Sequence, residues 1–150
     1  MDDITALLKR LGESRYVDGI ALIGSAGEGR LRPESDYDVL IVLDQPPVPI
    51  RTGVTWVDGR LADLVFSSLA EIDGLATVNG GDTGGSGSGV VDEIGQSIVV
   101  WMRVAWIVHD RVGRLSRLVE RVVATDDGPG GPLIGLSSIR LRRLDRASYN

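Results

Sequence analysis

The segment GSAGEGRLRPESDYDVLIVL, Gly24 to Leu43, constrains the fold more than any other part of the chain. It links one apolar run, YVDGIALI (Tyr16 to Ile23), to a second, DYDVLIVL (Asp36 to Leu43), through residues rich in glycine and charge. Short apolar runs rich in β-branched residues and bounded by Gly, Ser or Pro read as buried strands. The first contains one polar break, Asp18. QPPVP (Gln45 to Pro49) ends the second. Alternation along a strand puts Asp36 and Asp38 on one face and leaves Tyr37, Val39, Ile41 and Leu43 for the other.

Around this unit the pattern is mixed. Asp3 is positioned to cap a first helix running to about Leu11, with Ile4, Leu7, Leu8 and Leu11 as its apolar stripe. Gly24 to Glu34 reads as a loop or a short helix. Val54 to Val57 and Arg60 to Ser67 flank Asp58-Gly59, a strong hairpin signal. Ser68 is placed to cap a helix over LAEIDGL. Asn79 to Gly89, NGGDTGGSGSG, is a low-complexity flexible loop that also resembles an engineered linker. Asp92 to Arg103 reads as a helix with Ile94, Ile98, Trp101 and Met102 inward. Val104 to His109 is expected as a short strand, Asp110 to Gly113 as a turn, and Arg114 to Ala124 as a helix. The chain stops at LRRLDRASYN, in the middle of an amphipathic pattern. The expected fold is therefore α/β (α+β by some definitions): a small mixed sheet flanked by helices, with the site on one sheet edge. Residues 1–125 are expected to form the domain, and residues 126–150 a loop and a C-terminal helix that starts a further helical region.

Two carboxylates on one strand face repel each other and share a desolvation cost, which a proton or a divalent cation relieves. Hard cations such as Mg²⁺ take oxygen ligands of this kind and keep water and phosphate oxygens in their remaining positions. Asp63, inside ADLVF, occupies a position where an apolar residue is expected. If its strand pairs beside Asp36 to Leu43, it reaches the same face, and three carboxylates can hold two metal ions. Gly24-Ser25 ends the first strand and opens a turn whose N–H groups and hydroxyl suit phosphate oxygens. Ser25 is also suited to capping a helix, a role compatible with phosphate contact. His109, the one histidine, is expected to lie away from the Asp cluster, and Trp56, Trp101 and Trp106 to serve the core or an interface.

Composition narrows the classes. A formal net charge of -5 argues against a broad electrostatic attraction to nucleic acid or to an anionic membrane. The longest apolar run, Ser97 to Val108, contains Arg103 and is too short to span a bilayer. The absence of cysteine excludes disulfides and thiolate sites and fits a cytoplasmic protein.

Gly24-Ser25 followed at this spacing by Asp36-x-Asp38 resembles the signature of the DNA-polymerase-β-like nucleotidyltransferase superfamily. With Gly29, Pro33 and Ser35 also in register, it is similar to the minimal nucleotidyltransferase branch, which includes antitoxins paired with helical HEPN toxins. GRLADLVFSSLAEI resembles the family's third-carboxylate strand and following helix, and IVHDRVGRLSRL a strand-turn-helix near the end of such domains. The resemblance implies a nucleotidyltransferase fold and transfer of a nucleoside monophosphate from an NTP, expected to be ATP, to a hydroxyl acceptor. It implies Asp36, Asp38 and Asp63 as catalytic metal ligands for Mg²⁺ or Mn²⁺, and Gly24, Ser25, Gly29 and Ser35 as nucleotide-binding residues. The acceptor it implies is a tyrosine of a partner toxin, or an aminoglycoside-like small molecule; the short chain favours the protein. Many relatives carry Ala-Arg where this chain has Gly27-Glu28. An acidic Glu28 beside a triphosphate is unfavourable unless it points away, so an inactive binding module is the third reading. With no lysine near the site, Arg30, Arg32 or Arg60 is left to neutralise the triphosphate.

Overall fold

The computed structural model describes residues 4–46, 49–77 and 93–126. The low-complexity loop expected at 79–89 and almost all of the expected C-terminal region, 127–150, lie outside the described residues. The elements run α1 (Ile4–Glu13), β1 (Val17–Ile23), α2 (Gly24–Gly27), β2 (Tyr37–Leu43), β3 (Thr52–Val57), β4 (Arg60–Ser68), α3 (Leu69–Thr77), α4 (Glu93–Trp101), β5 (Trp106–Asp110) and α5 (Arg114–Asp126). The five strands form one sheet in the order β3-β4-β2-β1-β5. It is mixed: β2 and β4 are parallel, and every other pair is antiparallel.

Alternation along the strands separates two apolar layers. Leu40 and Val42 of β2 face Ile72, Ile98, Met102, Leu115, Leu118 and Val122, which belong to or follow α3, α4 and α5. Val39 and Ile41, with Ile20 and Leu22 of β1, pack on the other side beneath Ile4 and Leu8 of α1. β1 and β2 are covered on both faces, which explains their nearly continuous apolar sequence.

The turns follow their chemistry. Asp58 (φ 54°) and Gly59 (φ 70°) both adopt the left-handed conformation that a two-residue hairpin needs to match strand twist. The Ser68 hydroxyl accepts the Glu71 N–H at 3.1 Å and starts α3 as expected. Arg51, just before β3, donates two bonds to the Glu71 carboxylate at 2.9 and 2.8 Å and one to the Phe66 carbonyl at 3.0 Å. This pins the hairpin to α3. The Asp110 carboxylate accepts the N–H groups of Leu115 and Ser116 at 3.2 and 2.9 Å, so it caps α5.

Three sequence expectations shift. β5 extends through His109 to Asp110 and begins at Trp106, two residues later than the pattern suggested. Asp36 lies just outside β2. Ser25 does not cap a helix: Ile23 holds the N-cap position of α2, with no side-chain capping bond.

Asp18, the polar break in β1, is 3% exposed. It sits where β1 shifts register against β2, and its Oδ2 has no hydrogen-bond partner. Burial first, and then the nearby Asp110 carboxylate, push its pKa up from the ordinary 3.8; Arg111 and His109 pull the other way. A raised folded-state pKa stabilises the fold below about pH 4, and that contribution is lost as pH rises through the folded value. At neutral pH this contribution is reduced, and Asp18 is a net cost to the fold. Asp18→Asn is expected to raise Tm at pH 7 by about 2–4 °C, roughly 1 kcal/mol. Its advantage should shrink steadily in thermal melts taken towards pH 4; a constant or growing advantage would contradict this account.

Candidate active site

The end of β1 and the beginnings of β2 and β4 meet at one rim of the sheet. Asp38 pairs with Ile23 of β1 on one side and with Asp63 of β4 on the other. Paired residues share a face, so Asp38 and Asp63 point the same way, as do Leu40 and Val65 further along. Asp36 approaches from the exposed segment just before β2. The expected condition for Asp63, pairing beside the Asp36–Leu43 strand, is met. The site is not on a sheet edge, however. It lies at the end of the central strand β2 and its two neighbours, because β4 returns parallel to β2 and inserts between it and β3.

The three carboxylates interact. Burial, the Asp63 carboxylate and then the Asp36 carboxylate push the Asp38 pKa up from its ordinary 3.8. Two like charges facing a partly buried third leave the cluster in electrostatic debt, which a cation can settle. Among the described residues no three His, Asp or Glu side chains are gathered as a ready-made metal cage. That is compatible with Mg²⁺, which is commonly held by one or two carboxylates together with substrate phosphates and water. The donor set, all hard oxygens, fits such an ion.

Gly24 closes the site from the β1 side. Its φ is +60°, and a Cβ there would lie 2.5 Å from Asp38 Oδ2. Only a residue without a side chain lets the backbone pass this close to the carboxylate while adopting the left-handed conformation. Ser25 follows, half-buried, with no described side-chain partner. Gly27 is equally constrained: a Cβ there would meet the backbone oxygens of Leu22 and Val104, each at 2.6 Å. No local pattern marks this second close approach, because Val104 is remote along the chain.

The loop between α2 and β2 is tied down from β4. Arg60 donates to the Ser35 carbonyl at 2.6 Å and to the Arg32 carbonyl, and its guanidinium lies 5.2 Å from the centre of the Tyr37 ring. The Arg32 N–H donates to Ser35 Oγ at 3.2 Å. Ser35 thus organises the loop, and Gly29 (φ 71°) provides its turn. Glu28 is paired with Arg30, whose Nε donates to it at 2.9 Å. The charge that seemed unfavourable is therefore offset within the loop. Arg30 and Arg60 are both engaged, which leaves the exposed Arg32 guanidinium with no described partner. His109 lies in β5 opposite Ile20, with its ring against Gly12 of α1, and takes no part in this rim.

Arg60 is a positioning residue: it sets the path of the loop that delivers Asp36. Arg60→Ala is expected to cost roughly 1.5–3 kcal/mol, the worth of hydrogen bonds from a charged donor. Denaturant melts read this directly, and an unchanged midpoint would contradict the role.

Residues 4–75 match the family model described as nucleotidyltransferase domain. Over that stretch, which contains the whole carboxylate rim, the chain is similar to a nucleotidyltransferase domain, in agreement with the DNA-polymerase-β-like resemblance. The general chemistry of the domain is nucleotidyl transfer. The match ends within α3; β5 and α5 complete the sheet and one apolar layer beyond it. No curated protein matches the chain. No helix among the described residues is long and apolar enough to cross a membrane.

Proposed function

We propose that this protein is a cytoplasmic, metal-dependent enzyme that transfers AMP from ATP to a hydroxyl acceptor. The observation that carries this reading is the register that sets Asp38 beside Asp63, with Gly24 against the Asp38 carboxylate. Asp36, Asp38 and Asp63 would hold Mg²⁺ or Mn²⁺. When bound, such ions neutralise the triphosphate and lower the pKa of the attacking hydroxyl. Gly24 and Ser25 are placed to give a backbone N–H and a hydroxyl to phosphate oxygens, and Arg32 is free to approach them from the loop. Asp63, one strand beyond Asp38 as seen from Gly24, would orient the acceptor hydroxyl and accept its proton. Breaking the bond between the α- and β-phosphates releases pyrophosphate while the acceptor oxygen forms its bond to the α-phosphorus. Positioning and charge neutralisation suffice for this displacement, with no covalent enzyme intermediate.

The acceptor in this reading is a tyrosine of a helical HEPN-type toxin, so the partner should copurify with the protein. Recovery without any such partner would shift the proposal to a small-molecule acceptor. The Glu28–Arg30 pair supports turnover over an inert binding module, because it removes the unbalanced charge from the phosphate-facing loop. The reading requires Mg²⁺-dependent labelling of an acceptor from α-³²P-ATP. Labelling that persists undiminished in the Asp36→Asn, Asp38→Asn double variant would refute it.

A further inference from the structure

One edge of the sheet is β3, and among the described residues it lacks the features that normally protect an edge. TGVTWV carries no charge and no proline, and Val54 and Trp56 are 64% and 69% exposed on one face. The ladder to β4 fixes which backbone groups are available. The Phe66 N–H donates to the Arg51 carbonyl, and this pair is in register with Thr52↔Val65. Antiparallel pairs alternate, so residues 51, 53, 55 and 57 bond inward to β4. The N–H and C=O groups of Thr52, Val54 and Trp56 therefore point outward along the edge.

We propose that a second copy of this chain covers this edge, with the two β3 strands antiparallel about a two-fold axis at Thr55. The sequence is self-complementary in that register. Val54 of each copy lies opposite Trp56 of the other, both among the outward-bonding residues, so each pair closes two hydrogen bonds. Both pairs join a β-branched and an aromatic side chain on the same face, a favourable cross-strand combination. The strand is uncharged, so two chains of net charge -5 can approach here without like charges meeting within the ladder. The result is a continuous ten-stranded sheet with isologous contacts. It also touches the carboxylate rim. Asp38, Asp63 and Val54 form one transverse row, and Trp56 of the second copy extends it. With strands about 4.8 Å apart, that ring lies roughly 10 Å from Asp63, on the side away from Gly24.

The chain has no cysteine, which makes a direct test simple. In this register the two Thr55 residues face each other as a non-hydrogen-bonded pair with Cα atoms about 4.5 Å apart, within disulfide range. Thr55→Cys, a nearly isosteric change, is expected to yield a disulfide-linked dimer on mild oxidation. Gly53→Cys, whose two copies would stand roughly 13 Å apart, is not. Sedimentation velocity of the unaltered protein is expected to show a dimer, with Trp56→Lys weakening self-association roughly tenfold or more. Val100→Lys, at another exposed apolar position, on α4, should leave it unchanged. A monomeric unaltered protein would overturn the proposal and leave the edge for a strand of a different protein. Equal cross-linking of the two cysteine variants, or a dimer indifferent to Trp56→Lys, would overturn it as well.

Discussion

Asp38→Asn is expected to raise the thermal stability of the metal-free protein while lowering nucleotidyl transfer about 10³-fold, or roughly 4 kcal/mol in the barrier. The two effects share one cause. Burial and the neighbouring Asp63 and Asp36 carboxylates raise the Asp38 pKa. A group raised in this way stabilises the fold below its ordinary 3.8 and loses that contribution as pH rises through the folded value. At neutral pH the crowding around Asp38 therefore works against folding. An amide of the same shape removes the repulsion, and removes with it the charge that would hold a cation and, through that cation, the triphosphate. The thermal shift that Mg²⁺ and ATP together produce in the unaltered protein should vanish in the variant. A variant both less stable and fully active would show that the crowding has no functional meaning. Stability given up at a reactive site in this way is a common trade.

Gly24→Ala is the second large effect, and here both stability and activity are expected to fall. The left-handed φ of +60° costs a residue with a Cβ about 1–2 kcal/mol. The added methyl would also stand 2.5 Å from Asp38 Oδ2. To relieve that contact, either the carboxylate turns away from Asp63 or the start of α2 moves outward. Both carry a reactive group away from its position, and a displacement of about 1 Å can cost on the order of 10²-fold in rate. Gly29→Ala is the informative comparison. Gly29 is also left-handed, at +71°, but a Cβ there meets nothing within 4 Å. It should show the conformational penalty alone, with most of the activity retained. Equal losses in the two variants, measured by melts and labelling rates, would contradict the close approach at Gly24.

Much of this was legible along the chain because the relevant signals are local. The short, nearly continuous apolar runs marked β1 and β2, Asp58-Gly59 marked the hairpin, and Ser68 marked the start of α3. Asp63 stood out because a carboxylate interrupted an apolar strand. The parallel insertion of β4 between β2 and β3 was not legible, since strand order depends on which faces α3 and α5 cover, and no local pattern records it. For that reason the site was expected at an edge and lies at the end of the central strand. The role of Arg60 was hidden in the same way: it reaches carbonyls of Arg32 and Ser35, far back along the chain. Glu28 read alone looked unfavourable, and only the fold of the loop brings Arg30 onto it.

The central claim is that Asp36, Asp38 and Asp63, with Gly24 and Ser25, form one metal and triphosphate site. A crystal structure with Mn²⁺ and a non-hydrolysable ATP analogue tests it most directly, because the anomalous signal of manganese locates the ion itself. The expected result is manganese on the Asp36 and Asp38 carboxylates, with Asp63 turned to the same centre and the phosphates against Gly24 and Ser25. Manganese bound elsewhere, or a triphosphate that avoids Gly24 and Ser25, would contradict it.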